Sequence, residues 1–399
     1  MLRPCRGRGP RGDLRGATVD FDLSDDLIAV RDGAREFAER ELLPRAAASD
    51  EAEAFVEAQW KACGEAGWAG MSIPEAYGGQ GLSAVATSLA LAELSRACAA
   101  TGVTVSVHLG LCSAALVRWG NDEQRRRYLP RLASGEWLGA YALSEAGSGS
   151  DAAALRCAAT PDGAGGFVLD GSKLWITSGD HANLVVVFAR TSNESKAKGI
   201  TAFLVETSWP GVHPGKKEKK MGIRGSSTVE MRLDRVRVPA ANVLGEVNQG
   251  FSVAMGLLDG GRIGIACQAL GIAQACLEAS VKYAKEREQF GQPIASFESI
   301  QWKLAEMALR IDAARLLILR AAWLKDQGRP HTREASMAKL DASRTADFCA
   351  KEAVQVHGGA GYTKEFPVER YFRDARITEI YEGTTEIQNL VIAREVLRG

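Results

Sequence analysis

The sequence has no Cys-x-x-Cys pair, no two histidines at His-x-x-x-His spacing, no excess of either charge, and no uninterrupted apolar run of the ~18 residues a membrane-spanning helix needs. Each absence removes a class of function. The eight cysteines, Cys5, Cys63, Cys98, Cys112, Cys157, Cys267, Cys276 and Cys349, are scattered, which suits reduced core thiols of an intracellular protein better than zinc or dithiol chemistry. Five dispersed histidines offer no metal centre. With 49 basic residues against 49 acidic ones, no global field draws the chain to nucleic acid, and no stable membrane insertion is expected. Residues 1 to 21 are rich in arginine and glycine without an apolar segment, so they read as a flexible arm, either a targeting peptide or a plain extension, and not as a secretory signal. Within that arm, Gly7-Arg8-Gly9-Pro10-Arg11-Gly12 matches the dinucleotide pattern in form only. A working fingerprint needs a strand before it and a helix after it, and Pro10 opposes the turn.

What is present falls into three blocks. Ser24 is suited to cap a helix in which Leu27, Val30, Ala34 and Phe37 recur at three- and four-residue spacing. Residues 83 to 100 and 103 to 119 read as buried helices, and Asn121 with Glu123 opens another. From Leu143 the composition turns to Gly, Ser, Thr and Val. Short β-branched runs at 166 to 169, 184 to 189, 200 to 205 and 229 to 233 predict an antiparallel β-domain, with a tight turn at Asp170-Gly171 and a lysine-rich surface connection over 215 to 225. Helical periodicity returns for 255 to 286, 299 to 327, 331 to 356 and 385 to 397. Thr385 with Gln388 fits a capping box for the last helix. The expected organisation is an arm (1–21), an N-terminal helical domain (22–142), a middle β-domain (143–250) and a C-terminal helical domain (251–399). A doubly wound nucleotide fold, in which strands and helices alternate throughout, is excluded by that layout.

Five constellations carry chemistry, and each has an ordinary structural reading beside it. Tyr141 to Asp151 is rich in small residues whose backbone could approach a flat ligand, with Ser144 as a hydroxyl; it is also an ordinary loop composition. Trp175 could cover a ring system while Thr177 presents a hydroxyl, or the indole is simply packed. Arg287, Phe290 and Gly291, with Gln355, Gly358 and Gly359, combine a phosphate-matching guanidinium with glycine-rich backbone, or Arg287 is one more solvated charge. Asp259, Gly260, Gly261 and Arg262 place two glycines inside a helix, a choice that calls for close packing or a passing ligand. Glu382, between Tyr381 and Gly383, either accepts local amides or acts as a base in a water-poor slot.

Taken together over residues 22 to 398, these segments resemble the acyl-CoA dehydrogenase family, nearest to its short-chain, butyryl-CoA type. The likeness rests on Lys216-Lys217-Glu218 with Gly222 to Thr228, on Asp259 to Leu270, and on Arg373-Asp374-Ala375-Arg376-Ile377-Thr378-Glu379-Ile380-Tyr381-Glu382-Gly383-Thr384. The resemblance implies a mainly α protein with a central β-domain, binding FAD and assembling as a homotetramer, a dimer of dimers. It implies that Tyr141, Leu143, Ser144, Gly149, Ser150, Trp175 and Thr177 line cofactor or substrate. Arg287, Phe290, Gln355 and Gly359 would contact FAD across a subunit boundary, with Thr384 and Glu386 completing the cofactor contacts. Ser150, Asp259, Arg262 and Gly383 would hold the acyl-CoA substrate. Glu382 would remove the α-proton while the β-hydrogen leaves as hydride, giving a trans-2-enoyl-CoA, and electrons would pass to electron-transfer flavoprotein. Branches that take their base from the internal helix do so at the position of Gly261, which here is glycine. A branched-chain or aromatic acyl-CoA dehydrogenase and an acyl-CoA oxidase remain the alternatives. The expected compartment is the cytoplasm in a bacterium or the mitochondrial matrix in a eukaryote.

Overall fold

A computed structural model describes residues 22 to 192 and 197 to 398, so the arm with Cys5 and the Gly7 to Gly12 pattern lies outside the described residues. Seven α-helices come first: α1 (Asp25–Phe37), α2 (Leu43–Glu51), α3 (Glu57–Glu65), α4 (Ala84–Ala97), α5 (Ala99–Val107), α6 (Ala114–Trp119) and α7 (Asp122–Ala133). Ser24 caps α1 by accepting from the Leu27 amide at 3.4 Å. Asn121 caps α7, but its reciprocal partner is Gln124, whose side chain also donates to the Ala241 and Val243 carbonyls and so ties α7 to the sheet. A single extended residue, Cys98, divides α4 from α5.

Eight strands follow: β1 (Gly139–Ala142), β2 (Ala158–Pro161), β3 (Phe167–Thr177), β4 (Leu184–Arg190), β5 (Ile200–Glu206), β6 (Val212–Lys217), β7 (Thr228–Val238) and β8 (Val243–Leu244). Their order is β6-β7-β3-β2-β4-β5-β8, with β1 beside β4. Three expectations need correction. The sheet is mixed, because β1 and β2 both run parallel to β4, and its first strand starts ahead of residue 143. Asp170-Gly171 is not a turn: β3 runs straight through it with a register shift, and Gly171 has φ +150° where a Cβ would sit 2.9 Å from the Cys157 Cα. Such a bulge lets the strand bend without ending. Nor is 215 to 225 a solvated loop throughout, since its start belongs to β6, Lys217 donates to the Glu53 carbonyl and Lys220 to the Ser226 carbonyl.

The C-terminal part comprises α8 (Gly250–Glu286), α9 (Glu298–Asp326), α10 (Thr332–His357), α11 (Val368–Ala375) and α12 (Thr385–Leu397). Helix α8 is the axis, with α4, α5, α9 and α10 packed around it. Two helical stretches, Ala99–Trp119 and Gly250–Glu286, are apolar and long enough to cross a bilayer, yet they are 83% and 78% buried inside the protein. Their apolar surface is core. All seven described cysteines are buried and unpaired. The sheet closes a second core of its own around Val187, Phe203 and Met231.

Candidate active site

A short connection between α11 and α12 carries Glu382. Its helix cap is Thr384, which accepts from the Ile387 amide at 3.4 Å; Thr385 is already the first helical residue. The expected Thr385–Gln388 capping box is therefore absent. Gln388 instead turns its amide back, donating to the Glu382 carbonyl at 3.1 Å and the Gly383 carbonyl at 2.9 Å. Lys339 of α10 donates to the same Gly383 carbonyl at 2.7 Å, and the Tyr381 hydroxyl donates to Gln268 of α8. These bonds hold Glu382 at φ +55° and Gly383 at φ +94°. A left-handed glutamate is uncommon and persists only where its surroundings determine it.

The carboxyl group points into the interior. Its Oε2 is buried and has no hydrogen-bond partner. Gly261 of α8 faces it so closely that a Cβ there would lie 2.5 Å from Oε2 and 3.1 Å from Leu111 Cδ2. The glycine is thus explained by the carboxylate that occupies the place of its missing side chain. Burial pushes the Glu382 carboxyl up to about 7, against the opposing pull of Lys339 and then Arg262. Desolvation disfavours the ionised form, and nearby cations only partly restore it. Arg262 is itself buried, paired with Asp259 at 2.7 Å, and its Nε has no partner. Thr332 donates to the second Asp259 oxygen at 2.6 Å, so both oxygens of Asp259 are committed to protein groups. The Tyr141 hydroxyl is a third buried polar group without a partner, its phenol held well above the usual range by burial and then by Glu382. Three orphaned polar atoms within electrostatic reach of one carboxyl group, from β1, α8 and the α12 entry loop, are what a site looks like when its ligand supplies the missing partners.

The sheet presents the next group of expected residues. Lys173 is fully buried and pairs with Glu145 at 2.7 Å while donating to the Leu143 carbonyl at 3.2 Å. Glu145 accepts from the Arg156 and Cys157 amides, and the Leu174 amide donates to the Ser144 carbonyl at 2.9 Å. The loop carrying Leu143, Ser144, Gly149 and Ser150 is therefore clamped to β3. Trp175, near the end of that strand, has φ +63° and is 61% exposed, while Thr177 closes the strand opposite Thr228. An indole held in a left-handed conformation and left uncovered by its own chain fits a planar ring stacked on it, as a flavin requires. The packed-core reading of Trp175 fails on its exposure.

Arg287, Phe290, Gln355 and Gly359 also come together, at the shared far end of α8 and α10. Tyr283 stacks on His357 at 4.2 Å there, and Ala284, Ile294 and Val356 form a small core beneath. Phe290 is 94% exposed, and a Cβ at Gly291, Gly358 or Gly359 would meet open space. By the helical rise, this end lies about 36 Å along α8 from Arg262 and about 24 Å along α10 from Lys339. The chain does not fold these four onto Glu382. Thr384 and Glu386 sit at the start of α12, where Thr384 hydrogen-bonds Glu386 and holds its carboxyl below the usual range. Sequence reasoning missed Lys339 and the Lys173–Glu145 pair, and it gave Gln388 a capping role in place of its bonds to the Glu382 and Gly383 carbonyls. The available signal was a charge within a small-residue run, Ala335 to Leu340, that had to be buried on α10.

Three family descriptions cover most of the chain: the acyl-CoA dehydrogenase N-terminal domain at residues 24–136, the middle domain at 140–236 and the C-terminal domain at 248–397. The mouse short-chain specific acyl-CoA dehydrogenase of mitochondria is 50% identical over 396 residues, 99% of this chain and 96% of its own. Butyryl-CoA dehydrogenase from Megasphaera elsdenii superposes with a TM-score of 0.93 at 42% identity, covering 95% of this chain and 100% of that one. A structure from a study of the electron transferring flavoprotein of Acidaminococcus fermentans and flavin-based electron bifurcation gives 0.94 at 44% identity, covering 96% and 100%.

Proposed function

The chain belongs to the acyl-CoA dehydrogenase family and is an FAD-dependent enzyme, and from that premise we propose that it oxidises short-chain acyl-CoA thioesters to trans-2-enoyl-CoA with Glu382 as base and electron-transfer flavoprotein as acceptor. One observation carries the reading: Oε2 of the Glu382 carboxylate is buried, has no hydrogen-bond partner and faces the bare backbone of Gly261. A carboxylate so placed is a stronger base than a hydrated one, which α-carbon acidity demands. FAD, when bound against Trp175 and the Ser144 loop, supplies the acceptor for the β-hydrogen and its electron pair. The protein orients the thioester, excludes water and takes the α-proton on Glu382. Among the described residues no protein group accepts from the Glu382 amide, which leaves that N–H available to the thioester carbonyl as enolate charge develops. Arg262, anchored by Asp259, whose other oxygen is held by Thr332, adds positive charge beside Glu382.

Anaerobic mixing of the holoprotein with butyryl-CoA should bleach the oxidised flavin, and electron-transfer flavoprotein should restore it. No bleaching by C4 to C8 thioesters would refute the substrate class. Faster turnover of branched or aromatic thioesters would reassign the branch, and rapid reoxidation by oxygen with stoichiometric peroxide would make the enzyme an oxidase. Because burial places the Glu382 carboxyl near 7, the reductive rate should fall as pH drops through that value, about tenfold for each further unit. A rate flat from pH 5 to 8 contradicts a buried carboxylate base.

The homotetramer belongs to the same proposal. Along α9, Trp302, Leu309, Leu316 and Trp323 recur every seventh residue and are 69%, 65%, 46% and 48% exposed. An apolar seam of three heptads on a helix otherwise packed in the fold is suited to a second helix. The uncovered cluster at Phe290 and Gly359 awaits the same neighbour, which would then complete the cofactor site. Replacing Leu309 and Leu316 together by glutamate should shift the assembly to a smaller species by light scattering and lower its flavin content. An unchanged mass would remove α9 from the interface. The compartment follows the source: bacterial cytoplasm or mitochondrial matrix.

A further inference from the structure

Lys339 has a role that the chemistry above does not require of it. The side chain is fully buried on α10. Burying an ammonium is costly unless something answers its charge. Among the described residues no carboxylate oxygen lies within 4.0 Å of it, and it donates to the Gly383 carbonyl at 2.7 Å. That carbonyl already receives the Gln388 amide at 2.9 Å, and the Glu382 carbonyl receives it at 3.1 Å. Hydrogen bonding alone therefore does not call for a lysine here, since the loop is held by Gln388. What Lys339 adds is a fixed positive charge, anchored one peptide from the side chain of Glu382.

We propose that Lys339 is the positioning residue of the base: anchored on the Gly383 carbonyl, its ammonium keeps the buried Glu382 carboxylate ionised and pointed at Gly261 between turnovers. This rests on the reading of Glu382 as the base. The groups that face the carboxyl are Lys339 from α10, Arg262 from α8 and the phenols of Tyr141 from β1 and Tyr381 from its own loop. Lys339 in turn faces Glu382, Glu379, Arg262 and Glu386. Of the two cations, Lys339 exerts the larger downward pull on Glu382. Arg262 already shares its charge with Asp259 at 2.7 Å, whereas Lys339 has no such counter-ion among the described residues. Burial brings Lys339 down to about 8, so it is protonated at neutral pH, where the base must be anionic. During the reaction the α-proton moves to Glu382, and Lys339 keeps its own.

The test measures proton abstraction apart from hydride transfer. A butanoyl-CoA analogue with sulfur at the β position has no β-hydrogen to give up, so exchange of its α-hydrogens in deuterated buffer reports the base alone. With flavin-loaded Lys339→Met and Lys339→Gln, exchange should fall about tenfold or more at pH 6.5 and return to within about threefold of the parent at pH 9, because each unit added to the base's pKa removes a factor of ten in ionised fraction. Lys339→Arg should keep the parental acid limb. A loss that is uniform in pH, or a Gln variant with the parental limb, would overturn the proposal and leave Lys339 structural. Should the Met variant not retain flavin, the Gln and Arg pair decides by the same criterion; should neither neutral variant retain it, a displaced acid limb in the Arg variant overturns the proposal and an unmoved one supports it. Glu382→Gln separates the two layers of argument: exchange surviving there sinks the base assignment itself, whereas its loss together with a pH-uniform Lys339 effect sinks only the role of Lys339.

Discussion

Glu382→Gln is expected to fold, bind FAD and lose proton abstraction by about a thousandfold or more, within the ~10²–10⁴ range that a positioned general base supplies. Glutamine fills the same space, so Gly261 still faces a planar group and the loop bonds from Gln388 and Lys339, which reach main-chain carbonyls, are untouched. An amide cannot hold the proton. Removing a buried carboxylate whose Oε2 has no partner also removes a desolvation cost, which offsets the loss of the anion that answers the Lys339 charge, so the melting temperature should stay about level. Activity lost at undiminished stability is the signature of a strained functional group. Rapid-mixing reduction by butyryl-CoA together with thermal unfolding checks both halves, and near-parental reduction would remove Glu382 from the mechanism.

The second large effect is at Gly261. Alanine there puts a methyl 2.5 Å from Glu382 Oε2, closer than real Cβ contacts allow, and a tight 3.1 Å from Leu111 Cδ2. Helix propensity by itself would favour alanine over glycine by about 1 kcal/mol. The helix should therefore survive, and the strain should be relieved by the movable partner, the carboxylate. Displacing a base by an ångström costs on the order of a hundredfold in rate. We expect Gly261→Ala to retain flavin and lose about a hundredfold in kcat/KM. Gly260→Ala is the control: its Cβ would meet the Lys325 Nζ at 3.4 Å, the far end of a flexible side chain, and the Gly110 carbonyl oxygen at an ordinary 4.0 Å, so its rate should stay within a fewfold. Equal losses at both positions would point to helix packing, and the carboxylate argument would fail.

Much of this was legible in order and composition. The helical, β and helical blocks follow from hydrophobic period, and α12 begins and ends where its pattern does. Local chemistry was read less well. Thr384 and Thr385 are equivalent as cap candidates, and only the loop's left-handed path decides between them. Asp170-Gly171 has the composition of a turn, yet the pairing of β3 with β7 carries the strand through it. The parallel pairing of β1 with β4 joins segments about forty residues apart, which no local period announces.

By itself the sequence determined the fold class, the family and the residue types available for the chemistry, because periodicity, glycine placement and motif order are properties of the chain read along its length. The tertiary structure alone decided what surrounds Glu382. Gly261, Arg262, Lys339 and Tyr141 are remote from it in sequence, and only packing brings them to one carboxyl group. Electrostatic environment is a property of distance and burial, so a glutamate legible as a candidate becomes a base only once its neighbours in space are known.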